Sequence, residues 1–588
     1  MKRVISLIIC VVILFSLNAA TYSSALATNQ NENYHWVGSW ATSPIKTGVM
    51  IGKLRLLDFL NNCTYRTVIQ MTLGGTHVRL KFSNIYGDSD VVIDETTIAR
   101  TSTKSEGDIR SGSDIPVTFN GKRVCVIPAG KYVYSDPVEM KVSALEYLSI
   151  TSYISKFTRI TTGGLYGGTS YLEAGKKINN ESLSVTGALT FNSNAITYHV
   201  VPFLCAADVY CPKDCFSIVF IGDSTITNQS PYYLAERLVK SGVTNIGICQ
   251  EAIIANKLLT DGEGNSIVGN IYGEAMTKRF ERDALATPGV KKIFVKIGLN
   301  DVIHPRTNSM KDKVPLKTAE EIIEGYQKLI DLARKENLKI YFFSRTAWKG
   351  YSRNFALTSS NKPDVVWSQE ADDILNELNI WLQYKADIDG YIDLDFLRDP
   401  SDPAKLLADY TTDGAHLSEL GARLLADAVP ARYLDIADKK IISINDLYLS
   451  GKGGEKVTTP YTSNNPTTTK PPAATATETV TTPAAISTSS LTNPMPTGGA
   501  QLTTAVQTTV PSGTMPSSII IVTELNTGEA QTVTHIVTDP TKPTITEPTP
   551  EEKMDTGTKV GIVIVALISV LAFSFVTVYF VGKKQLID

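Results

Sequence analysis

The hydrophobic periodicity of this chain changes near residue 214, and that change constrains the fold more than any other feature. Upstream, from about residue 35 to 193, short alternating runs such as Thr67–Thr72, His77–Phe82, Arg123–Ile127 and Tyr147–Tyr153 are broken by Gly, Asn and Pro. Alternation with period two at this spacing predicts an all-β domain over residues 28–200, a sandwich or jelly-roll-like arrangement. Downstream, Phe216–Ile221 is a continuous apolar run of the kind a strand buried on both faces requires, and Tyr232–Lys240 follows with helical spacing. Thr244–Ile248, Lys292–Ile297, Lys339–Phe343 and Gly390–Leu394 read as further strands, with amphipathic helices at Ala319–Glu336 and Ser368–Tyr384 between them. Strands alternating with helices predict an α/β domain over 205–440, built on a parallel sheet covered on both faces. In such sheets the active site lies outside the carboxyl ends of the strands.

Three groups of polar residues stand at those ends. Gly222-Asp223-Ser224 follows the first strand, and Gly298-Leu299-Asn300-Asp301 follows the Lys292–Ile297 strand. Asp413-Gly414-Ala415-His416 precedes a helix over Ser418–Val429. Ester hydrolysis needs this inventory. A serine hydroxyl becomes a nucleophile when an imidazole takes its proton, and a carboxylate holds the imidazole in the right tautomer. Donors fixed beforehand hold the tetrahedral oxyanion, each worth about 2.7–4 kcal/mol in comparable sites. Ser224 is the expected nucleophile, His416 the proton shuttle and Asp413 its orienting partner, with Asn300 and backbone N–H groups as oxyanion donors. Asp301-Val-Ile-His304 is a second copy of the Asp-x-x-His spacing. It shares the loop already carrying Asn300, so His304 is expected at the rim of the site rather than as its base.

These motifs resemble the SGNH (GDSL) hydrolase family over most of residues 34–435. Ile218-Val-Phe-Ile-Gly-Asp-Ser224, Gly298-Leu-Asn-Asp301 and Asp413-Gly-Ala-His-Leu-Ser418 are similar to its first, third and fifth blocks. Asp393–Pro403, Trp36–Trp40 and Val124–Gly130 are similar to a secreted bacterial branch with an N-terminal β domain. The resemblance implies a flavodoxin-like three-layer α/β/α domain and serine esterase activity with no metal and no cofactor. It also implies an oxyanion hole built from the backbone N–H of Ser224, that of the residue in the second block, and Asn300. Two departures stand out. Ala255, within Ala252-Ile-Ile-Ala-Asn-Lys-Leu258, takes the place of the second block's glycine. An alanine N–H serves there without strain only if φ is negative; a positive φ costs about 1 kcal/mol or more. Thr225-Ile-Thr-Asn228 replaces the usual Ile-Thr-Asp-Gly after the nucleophile.

The two ends set the expected compartment. Lys2 and Arg3 precede an apolar run over Val4–Leu17, and Ala25-Leu26-Ala27 offers small residues for cleavage, so residues 1–27 read as a secretory signal peptide. Residues 560–581 are 22 without a charge, followed by Lys583 and Lys584. At about 1.5 Å per residue such a segment reaches roughly 33 Å, enough to span a bilayer once and leave 582–588 as a cytoplasmic tail. Between them and the folded part, 456–555 is rich in Thr and Pro and reads as a disordered, extended stalk. Its apolar interruption Ser518–Val522 and the Thr/Val alternation near Val533 are a candidate small β element. The expected picture is a cell-surface protein held in the membrane by its C-terminal helix.

Composition closes off other classes. With 56 Lys and Arg against 59 Asp and Glu, the chain lacks the basic face that nucleic acid requires. Cys10 leaves with the signal peptide, and the other six cysteines include no Cys-x-x-Cys pair, so disulfides or buried thiols are expected rather than a zinc site. The expected partner is an acylated carbohydrate or another ester. Trp348 and Tyr351, near the end of the fourth strand, are candidate stacking surfaces for a sugar. The alternatives are a lipase or acylhydrolase on lipid esters, and a carbohydrate-binding or adhesion protein with a degenerate hydrolase fold.

Overall fold

The computed structural model describes residues 33–452 except 48, 52–53, 57–58, 103–106, 184–189, 194–195, 228, 263–268, 308–314, 352–364 and 437–440. Beyond them it describes only 525–526 and 529–530. The predicted signal peptide, the predicted membrane span at 560–581, the cytoplasmic tail and nearly all of the predicted stalk lie outside the described residues. Among the described residues no helix is long and apolar enough to cross a membrane. Met1–Ala476 forms one compact unit and Thr477–Asp588 a second. In the second, Leu525–Asn526 pairs antiparallel with Glu529–Ala530, between the two apolar stretches named above, which are themselves not described.

The N-terminal region is β-rich, as its alternation dictates. One five-stranded sheet joins Tyr34–Ala41, Leu204–Pro212, Gly75–Ser83 and Tyr132–Tyr134 in that order, with Val138–Val142 also pairing Gly75–Ser83. A second runs Ile115–Val117, Glu95–Arg100, Tyr147–Ile154, Cys63–Gln70, Gly168–Ala174. All these pairings are antiparallel. Val37, Val78, Leu80 and Val209 of the first sheet share a core with Tyr65, Ile69, Ile98 and Ile150 of the second. All but the first residue of the strand Leu204–Pro212 falls inside the range predicted for the hydrolase domain, 205–440, yet the strand pairs with Tyr34–Ala41 and Gly75–Ser83. The β region therefore extends past residue 200, and the sheet change comes at Phe216.

The α/β part is built on five parallel strands: β1 (Phe216–Gly222), β2 (Ile246–Ala252), β3 (Val290–Lys296), β4 (Lys339–Phe343) and β5 (Gly390–Ile392). Their order is β2-β1-β3-β4-β5, the flavodoxin-like arrangement with its switch point beside β1. Every residue of β1 is buried, and alternate side chains serve opposite faces. Ile218 and Phe220 pack with Leu234 and Leu238 of α1 (Ser230–Lys240) and Leu425 of α4 (Glu419–Ala428). Val219 and Ile221 pack with Ile322 and Leu329 of α2 (Ala319–Lys335) and Leu375 of α3 (Gln369–Tyr384). Local chemistry sets the helix starts. Thr318 and Glu321 form a reciprocal capping box at α2, while Ser368 and Ser418 cap α3 and α4 through their hydroxyls.

The two parts of this unit meet along β2. The Thr72 hydroxyl accepts from Ile248 N at 2.8 Å, and its one hydrogen is shared between Ser39 O and Ile248 O, the latter at 3.0 Å, so an N-terminal side chain engages the outer backbone of this edge strand. The Ser217 hydroxyl has its one hydrogen between Pro288 O at 2.7 Å and Gly38 O at 3.1 Å, and Gly38 N donates to Pro288 O at 2.9 Å. A Cβ added at Gly247 would stand 2.2 Å from Gly38 O, so the close approach of the two backbones requires glycine there.

All six described cysteines are buried free thiols. Among the described residues, no group of three or more His, Cys, Asp or Glu is placed to hold a metal.

Candidate active site

The nucleophile candidate sits on a sharp turn at the end of β1. Asp223 caps the single 3-10 turn Ser224–Ile226, its Oδ1 accepting from Thr225 N at 2.9 Å and from the Thr225 hydroxyl at 2.6 Å. From the other side Lys296, at the end of β3, donates from Nζ to the Thr225 hydroxyl at 2.7 Å and to the Thr346 hydroxyl at 3.3 Å. Thr225 thus relays between a carboxylate and an ammonium, which is how this chain fills the position where its sequence departs from the family pattern. Lys296 is fully buried. Burial, with Arg345 adding to it, pushes the Lys296 amine down to about 7. A lysine interrupting the apolar run Ile293-Phe-Val-Lys-Ile297 is the sequence signal that could have exposed this network.

Ser224, His416 and Asp413 are brought together from opposite ends of the domain. Ser224 Oγ lies 2.8 Å from His416 Nε2, and His416 Nδ1 lies 2.7 Å from Asp413 Oδ2. The other carboxylate oxygen of Asp413 accepts from Ala415 N at 3.1 Å and His416 N at 2.9 Å. Burial raises the Asp413 carboxyl, but the bonds from the His416 ring and these two amides outweigh it and hold the group below its ordinary range. The loop is tied by Thr411, whose hydroxyl donates to His416 O at 2.7 Å and accepts from Gly414 N at 2.9 Å. Gly414 has φ +95°, and a Cβ there would stand 2.8 Å from the backbone of Gly350 and Tyr351. Its conformation and its neighbours both call for glycine.

The oxyanion candidates converge on the same edge. Asn300 lies in the short helix Leu299–Ile303 after β3, and its Nδ2 donates to Asn256 O at 3.1 Å. The second N–H of that amide is left to donate elsewhere. Ala255 is buried on the loop after β2 with φ +52°, so the strained alternative holds and costs about 1 kcal/mol or more. Ser224, Asn300 and His416 are 6%, 6% and 8% exposed, so the reacting groups are largely desolvated.

The second Asp-x-x-His copy is otherwise engaged. Asp301 accepts from Leu258 N at 2.8 Å and Leu259 N at 3.1 Å, one on each oxygen, and so holds the loop after β2. Burial pushes this carboxyl up to about 6 in spite of those bonds. The His304 ring lies against Tyr272, with centroids 5.7 Å apart. The two suggested sugar platforms need correction. Trp348 is fully buried in the core beneath the sheet and offers no stacking face. Tyr351 is 6% exposed and meets the His416 ring edge-on with centroids 5.6 Å apart, so it walls the imidazole rather than forming an open platform.

A serine, an imidazole and a carboxylate in hydrogen-bonded sequence at the carboxyl edge of a parallel sheet define a serine hydrolase. Residues 218–429 match the model of the GDSL-like lipase/acylhydrolase family. The chain therefore carries a domain of that family, a carboxylic ester hydrolase. No curated protein matches the chain significantly. Among solved structures it is similar to a GDSL-like lipase from Bacteroides thetaiotaomicron, at 13% identity and a TM-score of 0.26, over 37% of this chain and 88% of that one. It is similar to an acetyl xylan esterase at 19% identity and a TM-score of 0.25, over 36% and 97%. A catalytic mutant of an acetylxylan esterase from Geobacillus stearothermophilus gives 14% identity and a TM-score of 0.26, over 39% and 97%. At these scores the similarities carry no inference about substrate.

Proposed function

We propose that the protein hydrolyses carboxylic esters through an acyl-enzyme on Ser224, with short acyl groups, acetyl above all, carried on carbohydrate. The observation that carries the chemistry is the 2.8 Å and 2.7 Å sequence from Ser224 through His416 to Asp413. His416 takes the hydroxyl proton as Ser224 attacks, and Asp413 steadies the imidazolium that forms. The leaving alcohol collects that proton, and water then repeats the sequence on the acyl-enzyme. Ser224 N–H, Ala255 N–H and Asn300 Nδ2 hold the oxyanion. The preference for a short acyl group is supported by the crowding at the reacting groups, where Ser224 and Asn300 are buried and Tyr351 meets the His416 ring edge-on. Residues 1–27 and 560–581 support export and a single membrane anchor, which would present the enzyme to polymers outside the cell.

A series of nitrophenyl esters tests this reading. Hydrolysis is expected to fall as the acyl chain lengthens, and Ser224→Ala is expected to lose roughly three to six orders of magnitude. Equal rates for Ser224→Ala and the unaltered protein would remove the reading. Acetate release from acetylated glycans separates a carbohydrate substrate from lipid esters.

A further inference from the structure

Arg279 lies where the parts of the oxyanion site meet. It is fully buried. Its Nη2 donates at 3.0 Å to the carbonyl of Gly222, two residues before the nucleophile. Nε and Nη2 both donate to Asn256 Oδ1, at 3.1 and 3.0 Å. Asn256 follows Ala255 directly, and its carbonyl is the acceptor that holds the Asn300 amide. The Asn256 amide in turn donates to Tyr272 O and Glu274 O, both at 2.8 Å. One guanidinium and one carboxamide therefore fix the chain beside all three oxyanion donors.

The remaining guanidinium nitrogen faces the N-terminal region. Nη1 donates to Glu251 O at 2.9 Å and Asp283 Oδ2 at 3.1 Å, and to the Ser43 hydroxyl at 2.9 Å. Ser43 donates onward to Glu251 Oε2 at 2.8 Å. It belongs to the β-rich part, just beyond the strand Tyr34–Ala41. Burying an ion pair such as Arg279–Asp283 gives little net stability compared with apolar packing of similar volume. What apolar packing cannot do is fix the position of a carbonyl and an amide. A left-handed alanine persists only where its surroundings over-determine it, and Asn256 with its saturated side chain supplies that constraint to Ala255.

We infer that Arg279 and Asn256 are positioning residues of the oxyanion site, and that Ser43 makes the N-terminal β region part of that site. The inference rests on the esterase reading above. The test uses the full chain with nitrophenyl acetate and compares Asn256→Ala and Ser43→Ala with the unaltered protein and Ser224→Ala. Rates are expressed per active site titrated by a serine-directed phosphonate, so unfolded protein does not count. Asn256→Ala is expected to lower kcat on the order of 10²-fold with KM nearly unchanged, the signature of misplaced transition-state donors. Ser43→Ala, a milder change that keeps Arg279 and Asn256, is expected to lower kcat several-fold in the same way. Unchanged kcat per site in both variants, or a rise in KM alone, overturns the inference. An unaltered protein no faster than Ser224→Ala instead removes the esterase reading beneath it.

Discussion

Two histidines stand three residues after an aspartate in this chain, and only His416 bonds the nucleophile. Asp413 gives one oxygen to the imidazole and the other to the loop, whereas Asp301 gives both to backbone amides. His416→Ala is therefore expected to abolish ester hydrolysis, while His304→Ala keeps most of it, in a steady-state assay of both proteins. The reverse result would exchange the two pairs. Ala255 makes a second residue-level case. Glycine at φ +52° relieves about 1 kcal/mol of left-handed strain, less what its looser unfolded chain gives back. Ala255→Gly is expected to raise the thermal midpoint slightly and to improve kcat/KM for longer acyl esters more than for acetate. An unchanged acyl preference would show that the methyl does not bear on acyl selection. The sequence motifs led to Ser224, His416, Asp413 and Asn300 because each follows a strand or precedes a helix. Arg279, Asn256 and Thr411 were not legible, since what they hold is backbone supplied by the fold. Trp348 misled because a ring near a strand end says nothing about which way it faces.

Periodicity fared differently at the level of elements. The apolar run at 216–221 and the helices near 319–336 and 368–384 stand within a few residues of β1, α2 and α3. Long, uniform patterns with capping residues leave little freedom. The change of period near residue 214 falls close to Phe216, where the parallel sheet begins, but a domain limit at 205 takes in most of Leu204–Pro212, an apolar strand that either sheet could accept on pattern alone. Its antiparallel partners decide the matter. The contact between the systems was not legible at all. Part of it is a close backbone approach that the missing side chain of Gly247 allows, with Gly38 O against β2. Gly247→Ala is expected to cost about 1–3 kcal/mol or more, because backbone rather than a flexible side chain must move. Denaturant unfolding followed by intrinsic fluorescence measures that loss. A variant as stable as the unaltered protein would show that the contact is slack.

At the scale of the molecule, the buried polar layer between the β region and the α/β sheet should make stability depend on pH. Burial, with Asp283 adding to it, pushes the Glu251 carboxyl from 4.5 up to about 8, against the bond from Ser43 and the nearby Arg279 and Lys81. The folded protein then keeps a proton that the unfolded chain releases between those two values. The stability this group contributes is complete below its unfolded value and is lost as pH climbs through about 8. Glu251→Gln cannot release that proton. Between about pH 6 and about pH 9 its thermal midpoint is expected to fall less than that of the unaltered protein. Parallel curves would mean that Glu251 is already ionised at the lower pH.

The way Thr72 meets Ile248 has a consequence for how the α/β part behaves alone. A strand at the rim of a sheet is a template onto which any other strand can add, and soluble proteins guard against this. Here the guard for β2 comes from the β-rich part, as a hydroxyl that accepts from Ile248 N and a backbone, at Gly38, that closes on Gly247. Cut free at Phe216, the hydrolase would present a bare, apolar rim and be prone to stick to copies of itself. The fragment from residue 216 onward is therefore expected to self-associate where the longer unit does not, as light scattering of the two would show.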